Sequence, residues 1–597
     1  MCGFILSSKK SHTFPAFKKV SELIKPRGPD YNKVMNLKNF YLAHYRLKII
    51  DTKKRSNQPF TDKEKRYYLM FNGEIYNFLE IKKKYNLKCK TKSDTEVLFL
   101  LLKLYGIKKT LSIIQGMFSF IFIDKKKNKI LGARDHFGQK PFYYHHYKKN
   151  IIFSTNIKPI LKLLKNKSFE VKEIYKYLSS SGIIEGNKTF FRNINALEAG
   201  NYIEYKNGLI KIRKYFHPSD LFDISLYNDL KRKSEKEILF LLDLKIKNAV
   251  KKHLISDVAT GICLSGGVDS SLLTYYALKE NDKIKTFSGL SKEIELIPKK
   301  IVPKIINKLK IKNSFFIKHN SSDYLNILNQ LLRFSYSPSR WGGGVPMSDI
   351  CKKAKKKKVS VLLGGDGVDE VAGGYHTLKS ILHQKSKTKY HSIISMDKKN
   401  PFFKRKLNDQ FNIYLKKNEK IILNKIKKIK SKDEKFKLLT FLLDTSIFLQ
   451  TCTLPHSDEY SMLRSVELRN PFLDLEFVKF IVNLKSTLKV NKKNNVYNFK
   501  YIIKKLAKKK LGNFIDQPKE GTRNYSKKIS NINFWDFSKF RINSELKELK
   551  DKNLINKLDF KTIFKLISLE IIYRDMKEIR NSIFKSGITK EGAINLL

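Results

Sequence analysis

Cysteine stands at position 2, directly after Met1. Removal of Met1 would leave one residue with a thiol of pKa ~8.5 and an α-amine of pKa ~8, a nucleophile carrying its own base. A second candidate lies at 262–271, Ile-Cys-Leu-Ser-Gly-Gly-Val-Asp-Ser-Ser. There a buried-strand pattern runs through a Ser-Gly-Gly turn into a helix start. Ser265, Gly266 and Gly267 let main-chain N–H groups approach phosphate oxygens, and the helix N-terminus adds a favourable dipole. Asp269 suits a divalent cation held against those phosphates, and the Ser270 and Ser271 hydroxyls suit the phosphates themselves. The Walker A lysine is missing, so the loop does not suggest γ-phosphoryl transfer.

Around Cys2 an ordered set of polar segments follows: Arg-Gly-Pro-Asp at 27–30, His-Tyr-Arg-Leu-Lys-Ile-Ile-Asp at 44–51, Asn-Gly-Glu-Ile-Tyr-Asn at 72–77, Ser-Asp-Thr-Glu at 93–96 and Arg-Asp-His-Phe-Gly at 134–138. With Cys2 they resemble the N-terminal-nucleophile glutaminase domain of class II glutamine amidotransferases over the first third of the chain. The resemblance implies a layered αββα domain that hydrolyses glutamine. Glutamine offers a carboxylate, an ammonium and a neutral amide. Arg46 suits the carboxylate through its planar fork, and Asp94 suits the ammonium. Asn72 and the Gly73 N–H, read as a tight turn, are the implied oxyanion donors. Leu47, Lys48, Ile49, Ile50 and Glu74 complete the implied glutamine-binding set. Taken singly, Arg46 and Asp94 also read as surface ions, and Asn72-Gly73 as a hairpin turn.

The 262–271 loop resembles that of the ATP pyrophosphatases. Further segments extend the likeness to the glutamine-hydrolysing asparagine synthetase family: Ser256-Asp257, Leu-Gly-Gly-Asp-Gly-Val-Asp-Glu at 363–370, Gly-Gly-Tyr at 373–375, Glu-Leu-Arg-Asn-Pro-Phe-Leu-Asp at 467–474, Lys500 and Lys-Glu-Gly at 519–521. The resemblance implies ATP and Mg²⁺ as cofactors. It gives Leu264, Ser288, Gly364 and Gly365 to the adenylate and Asp269 and Asp369 to the metal. Lys500 would stabilise charge as a carboxylate attacks the α-phosphorus, and Asp366 would manage protons when ammonia attacks the acyl-adenylate. Arg469 and Asp474 read equally as a buried ion pair or as substrate contacts, and Cys263 as a small core residue. The implied reaction amidates the side-chain carboxylate of aspartate. The alternative acceptor is another carboxylate, such as a uronic acid of a surface polysaccharide. Three departures bear on the family pattern. Asp366 stands where glutamate is usual, and the stretch after Phe287 is one residue short with no His-x-Glu. At 339–345, Ser-Arg-Trp-Gly-Gly-Gly-Val, with Arg340 its one cation, occupies the approach to the acceptor.

Two kinds of domain must position these groups. Residues 1–205 carry short β-like runs (67–71, 117–123, 151–154) and one amphipathic helical stretch at 95–104, an α+β pattern. Residues 206–236 read as a linker, polar and irregular from about 215 to 233. From 237 to 597, helices at 237–253 and 272–278 alternate with buried strands at 259–264 and 359–363. This predicts an α/β, doubly wound parallel sheet with ligands at the carboxyl ends of its strands, and a helical part from about 433.

At 597 residues the chain has room for both domains, and 41% hydrophobic content marks it as globular. The formal charge of +66 is scattered lysine, with runs at 355–358 and 508–510 read as solvated helix faces. No specific nucleic-acid partner is implied, although general affinity for polyanions is. The five cysteines show no CxxC spacing, which argues against disulfides and zinc and for a reducing, cytoplasmic setting. No leader pattern and no uninterrupted apolar run of membrane length is read, so no membrane partner is expected. Small-molecule partners (glutamine, ATP and aspartate) follow, with a homodimer as the candidate assembly.

Overall fold

The computed structural model describes the chain apart from residues 1, 10–11, 181, 183–184, 292–296, 320, 340–343, 376–396, 495, 517–536, 547–550, 552–556 and 579–597. In the first part, two six-stranded sheets stack face to face. One has the order Asn195–Ala196, Tyr143–Tyr147, Asn150–Ser154, Cys2–Ser8, Phe40–Arg46, Tyr31–Asn36. The other runs Leu209–Lys214, Asn201–Lys206, Lys129–Arg134, Gly116–Asp124, Tyr67–Ile75, Phe60–Thr61. Their facing sides bury Phe4, Leu6, Leu42, Met70, Ile121 and Phe153 in one apolar layer, the alternation expected of packed sheets. The helix Asp94–Ile113 covers the second sheet, and Ser93 caps it by accepting the Thr95 N–H. Gly106, at φ 71°, kinks it. Helices thus flank two stacked sheets, the layered α+β arrangement expected.

The second part contains a five-stranded sheet in the order Ser314–His319, Lys285–Ser291, Thr260–Cys263, Val361–Leu363, Glu467–Arg469. Every neighbouring pair in it is parallel. The strand order reverses at Thr260–Cys263, a switch point in a doubly wound sheet and the place where ligands bind in such folds. The largest core joins this sheet to the C-terminal helices through residues such as Leu272, Val368, Ile447 and Phe477.

Three elements differ from the sequence reading. The stretch read as an irregular linker holds the helix Ile224–Arg232, started by Asp223, whose carboxylate accepts the Ser225 and Leu226 N–H groups; its few apolar residues hid it. Within the helical C-terminal part, Glu467–Arg469 is the edge strand of the parallel sheet, too short to show a period. The stretch Lys432–Met462 is long and apolar enough to cross a membrane, at mean hydropathy 1.3, but 72% of that window is buried inside the protein. It is a core helix whose middle, Asp444–Thr453, is π-helical.

Candidate active site

Cys2 opens the strand Cys2–Ser8, pairs in register with Arg46 and is 6% exposed. Burial pushes its thiol pKa up. Its main-chain nitrogen donates to Asn72 Oδ1 at 3.0 Å, and its carbonyl accepts from Arg27 Nε at 3.1 Å. Asn72 Nδ2 donates to Ser119 Oγ at 3.3 Å. Asn72 and Gly73 do not form a turn: they lie inside the strand Tyr67–Ile75, paired with Ser119 and Phe118. Gly73 has φ 144°, and a Cβ there would stand 2.0 Å from the Met117 carbonyl oxygen. Only glycine fits, because the strand is distorted where a neighbouring backbone crowds it.

Arg46 is buried rather than a surface ion. Its guanidinium is clamped by the Lys53, Ile50 and Asp51 carbonyls and Asn57 Oδ1, and among the described residues no carboxylate pairs with it. Leu47, Ile49 and Ile50 are buried behind it, and the Lys48 N–H donates to Asp30. Asp94 is also buried, its Oδ2 accepting the Ile75 N–H at 2.9 Å. Burial carries its carboxyl up to about 6, with Ile75 pulling it down and Glu467 pushing it up. Glu74 lies 3.1 Å from Arg469 Nη2. Burial and Asp94 raise its pKa well above the ordinary value, against Arg469.

Arg469 was not placed here by the sequence. Its guanidinium pairs with Glu467 at 2.6 Å and donates to the His253 and Ile255 carbonyls, so the edge strand of the parallel sheet reaches the polar groups around Cys2. Asp474 is not its partner. That carboxylate caps the helix Leu475–Val482 through the Glu476 and Phe477 N–H groups.

At the second site, the strand Thr260–Cys263 ends in the 264–267 turn, with Gly266 at φ 82°, and the helix Val268–Glu280 starts without a side-chain cap. Its first N–H groups are open to an anion. The Ser270 and Ser271 hydroxyls donate back to the Gly267 carbonyl, and Ser265 Oγ bonds to Ser270 Oγ at 3.0 Å, so the serines stiffen the turn. Ser288 Oγ donates to the Leu264 carbonyl at 2.6 Å, and both residues are fully buried. The second loop lies against the first: a Cβ on Gly365 would sit 3.3 Å from Asp269 Cβ, and one on Gly364 would be 2.9 Å from Asn470 Oδ1. Lys500 is buried, at φ 53°, and its Nζ lies 2.6 Å from Asp269 and 2.9 Å from Asp369. Asp366 accepts from Ser457 Oγ at 2.6 Å. Glu370, to which the sequence assigned no role, is buried and accepts from Tyr375 at 2.7 Å and Thr453 at 3.0 Å; burial and Asp369 lift its carboxyl to about 7.

Among the described residues, no cluster of three or more His, Cys, Asp or Glu side chains is placed to hold a metal. A two-carboxylate site nevertheless suits Mg²⁺, which takes one or two carboxylates and completes its shell with phosphates and water. Asp269 Oδ1 is buried and has no hydrogen-bond partner among the described residues, so it has a lone pair to give. Cys263 touches Met347 Sδ at 3.9 Å, and burial drives its thiol up to about 12, the state of an inert sulfur. Arg340 and Lys519 to Gly521 lie outside the described residues.

A family model described as a glutamine amidotransferase domain matches residues 1–216, and one described as asparagine synthase matches 241–557. A protein of Methanocaldococcus jannaschii named putative asparagine synthetase [glutamine-hydrolyzing] 2 is 32% identical over 402 residues, which cover 63% of this chain and 76% of that one. Asparagine synthetase [glutamine-hydrolyzing] 2 of Bacillus subtilis is 30% identical over 522 residues, 82% of this chain and 68% of its own. Asparagine synthetase B [glutamine-hydrolyzing] of Escherichia coli is 28% identical over 374 residues, 60% of each chain. A family match across more than half of the chain, behind an amidotransferase match, leaves one assignment: the chain belongs to the asparagine synthase family of ATP-dependent, glutamine-hydrolysing ligases.

Proposed function

We propose that this protein hydrolyses glutamine at Cys2 and transfers the ammonia to the adenylated side-chain carboxylate of aspartate, giving asparagine, glutamate, AMP and pyrophosphate. The observation that carries the reading is that two buried polar sites of different chemistry, one around Cys2 and one around Lys500, belong to a single chain and share Arg469's strand. In this reading residues 1–205 form the glutaminase domain, 206–236 the connection and 237–597 the synthetase domain. The strand Leu209–Lys214 extends the first domain's sheet into the connection.

The Cys2 sulfur attacks the side-chain carbonyl carbon of glutamine, and its proton passes through the α-amine to the departing nitrogen. Ammonia leaves a γ-glutamyl thioester, which water converts to glutamate. Asn72, fixed by Ser119 and the Cys2 nitrogen, and the Gly73 N–H steady the oxyanion in both steps. Arg46 and Asp94 hold the α-carboxylate and α-ammonium, backed by Leu47, Lys48, Ile49, Ile50 and Glu74. In the synthetase domain, Ser265, Gly266, Gly267, Ser270 and Ser271 cradle the phosphates, while Leu264, Ser288, Gly364 and Gly365 flank the adenylate. Asp269 and Asp369 would hold Mg²⁺, which when bound would supply positive charge to neutralise the pyrophosphate leaving group. Lys500 follows the charge that develops as the aspartate carboxylate attacks the α-phosphorus and pyrophosphate departs. Ammonia then attacks the acyl carbon, AMP leaves, and Asp366 takes the ammonium proton.

The test is acceptor-dependent AMP release from ATP and glutamine. Aspartate alone among free amino and sugar acids should support it. Release with a uronic acid but not with aspartate would overturn the acceptor and leave both sites standing.

A further inference from the structure

A cleft of about 310 Å³ opens between the two domains, away from both sites, where the end of the first domain's sheet meets the helix Arg405–Lys425 and the π-helix Asp444–Thr453. Its volume is at the lower end of the range for small-ligand pockets, about 300–1,000 Å³.

Its polar groups are left uncompensated in a particular way. His217 is buried, and its Nδ1 accepts the Ser219 N–H at 3.2 Å, which makes Nε2 the protonated nitrogen. Nε2 is buried and meets no partner in good hydrogen-bond geometry among the described residues; Asn418, the side chain that interacts with the ring, lines the cleft with it. Burial lowers the imidazole to about 4, so it stays a neutral donor. Arg134, also buried in the lining, donates to the Lys140, Leu197 and Gly138 carbonyls; among the described residues no carboxylate forms an ion pair with it, although Asp135, Asp458 and Glu198 favour its charge from a distance. Glu198 lines the same cleft; among the described residues it accepts from Asn201 at 3.3 Å and forms no ion pair. A buried donor without a partner costs about 1–3 kcal/mol, which a ligand would recover.

We infer that this interdomain cleft is a binding site for a free α-amino acid, its carboxylate received by His217 Nε2–H and Arg134 and its ammonium by Glu198. Donors of one kind alone would suit a simple anion. The unpaired Glu198 beside them repels one, whereas a zwitterion satisfies both. The site is also wired to the synthetase centre. Ser446, Gln450 and Thr451 of the π-helix line the cleft, and Thr453 of the same helix holds Glu370 at 3.0 Å. π-Helical turns are rare and concentrate at functional positions, so an occupant that shifts this segment would be felt at Glu370.

The test is equilibrium dialysis of the full chain, with Cys2 alkylated by a glutamine-analogue chloroketone, against radiolabelled glutamate, glutamine, aspartate and asparagine, with inorganic phosphate as an anion control. At least one amino acid should bind at a site that Glu198→Gln and His217→Phe each weaken about tenfold or more, the loss expected for a charge-assisted contact. Glu198→Gln is nearly isosteric and guards against misfolding as the explanation. Amino-acid binding unchanged by both substitutions would overturn the inference. So would binding of phosphate with equal strength, or no amino-acid binding at all. Because Cys2 is blocked, failure of the proposed reaction leaves the readout untouched.

Discussion

Lys500 Nζ lies 2.6 Å from Asp269 Oδ2. The same nitrogen reaches Asp369 at 2.9 Å, so one ammonium bridges the two carboxylates proposed for the metal. Burial works against its charge, but the carboxylates outweigh burial and keep the lysine protonated. Lysine and metal therefore compete for one place. Lys500→Met should bind Mn²⁺ in the absence of ATP about tenfold more tightly, or better, by the worth of a charged hydrogen bond, while acceptor-dependent AMP formation falls. Electron paramagnetic resonance of free Mn²⁺ gives the affinity. An unchanged affinity would separate Lys500 from the metal position.

Gly73 should tolerate no side chain. With φ at 144° and the Met117 oxygen 2.0 Å from a Cβ, Gly73→Ala must move the strand that carries Asn72. Glutamine hydrolysis should drop by about 10²–10³ in kcat, the cost of an oxyanion donor, with synthesis from added ammonia retained. Cys2→Ala should show the same division with complete loss of hydrolysis. Ammonia-dependent synthesis lost in both variants, with the fold intact, would refute the division of labour.

The segments around Cys2 were legible because each is a short polar run with a local marker: Asn72 before an obligate glycine, though in a strand where the sequence suggested a turn, and Asp94 after the capping Ser93. Arg469 was not. It is brought to Glu74 by a three-residue strand with no measurable period, and the pairing spans almost 400 positions of sequence. The Ile224–Arg232 helix was missed because a half-exposed helix needs few apolar residues. The π-helix at Asp444–Thr453 was not read, since a pattern of helical period does not separate a π-turn from an α-turn.

If Asp94 holds the ammonium of glutamine as proposed, it makes the glutaminase step sensitive to acid. Its carboxyl titrates at about 6, lifted by burial, and the protonated acid cannot balance an ammonium. As pH falls through 6, kcat/KM for glutamine should decline toward tenfold per unit, because this ratio reports the free enzyme. Stability moves the other way. Between the ordinary 3.8 and about 6 the folded chain keeps a proton that the unfolded chain has released, so this group's contribution falls as pH rises through that window. Asp94→Asn should have a low kcat/KM without the inflection near 6. An inflection that survives the substitution would assign it to another group.

Asp458 ties the two domains together beside Cys2. It lies on the helix Leu454–Met462 of the second domain, fully buried, and pairs with Arg27 at 2.8 and 3.2 Å and with Lys140 at 3.5 Å. Arg27 in turn donates to the Cys2 carbonyl, while the adjacent Ser457 holds Asp366. Asp458→Asn removes the carboxylate that pairs with two buried cations, leaving Lys140 only the more distant Glu467 and Asp135, and should destabilise the chain by about 3–5 kcal/mol, read from the denaturant midpoint. Replacing the whole cluster, Arg27→Met with Lys140→Met and Asp458→Leu, removes the unpaired charges and should restore most of that loss, as apolar substitutes for buried ion triads do. Glutamine hydrolysis should not return with it, because the Cys2 carbonyl has lost its Arg27 donor and the strand end is free to shift. A triple variant of wild-type stability that hydrolyses glutamine at the wild-type kcat would show that the cluster only glues the domains and does not position Cys2.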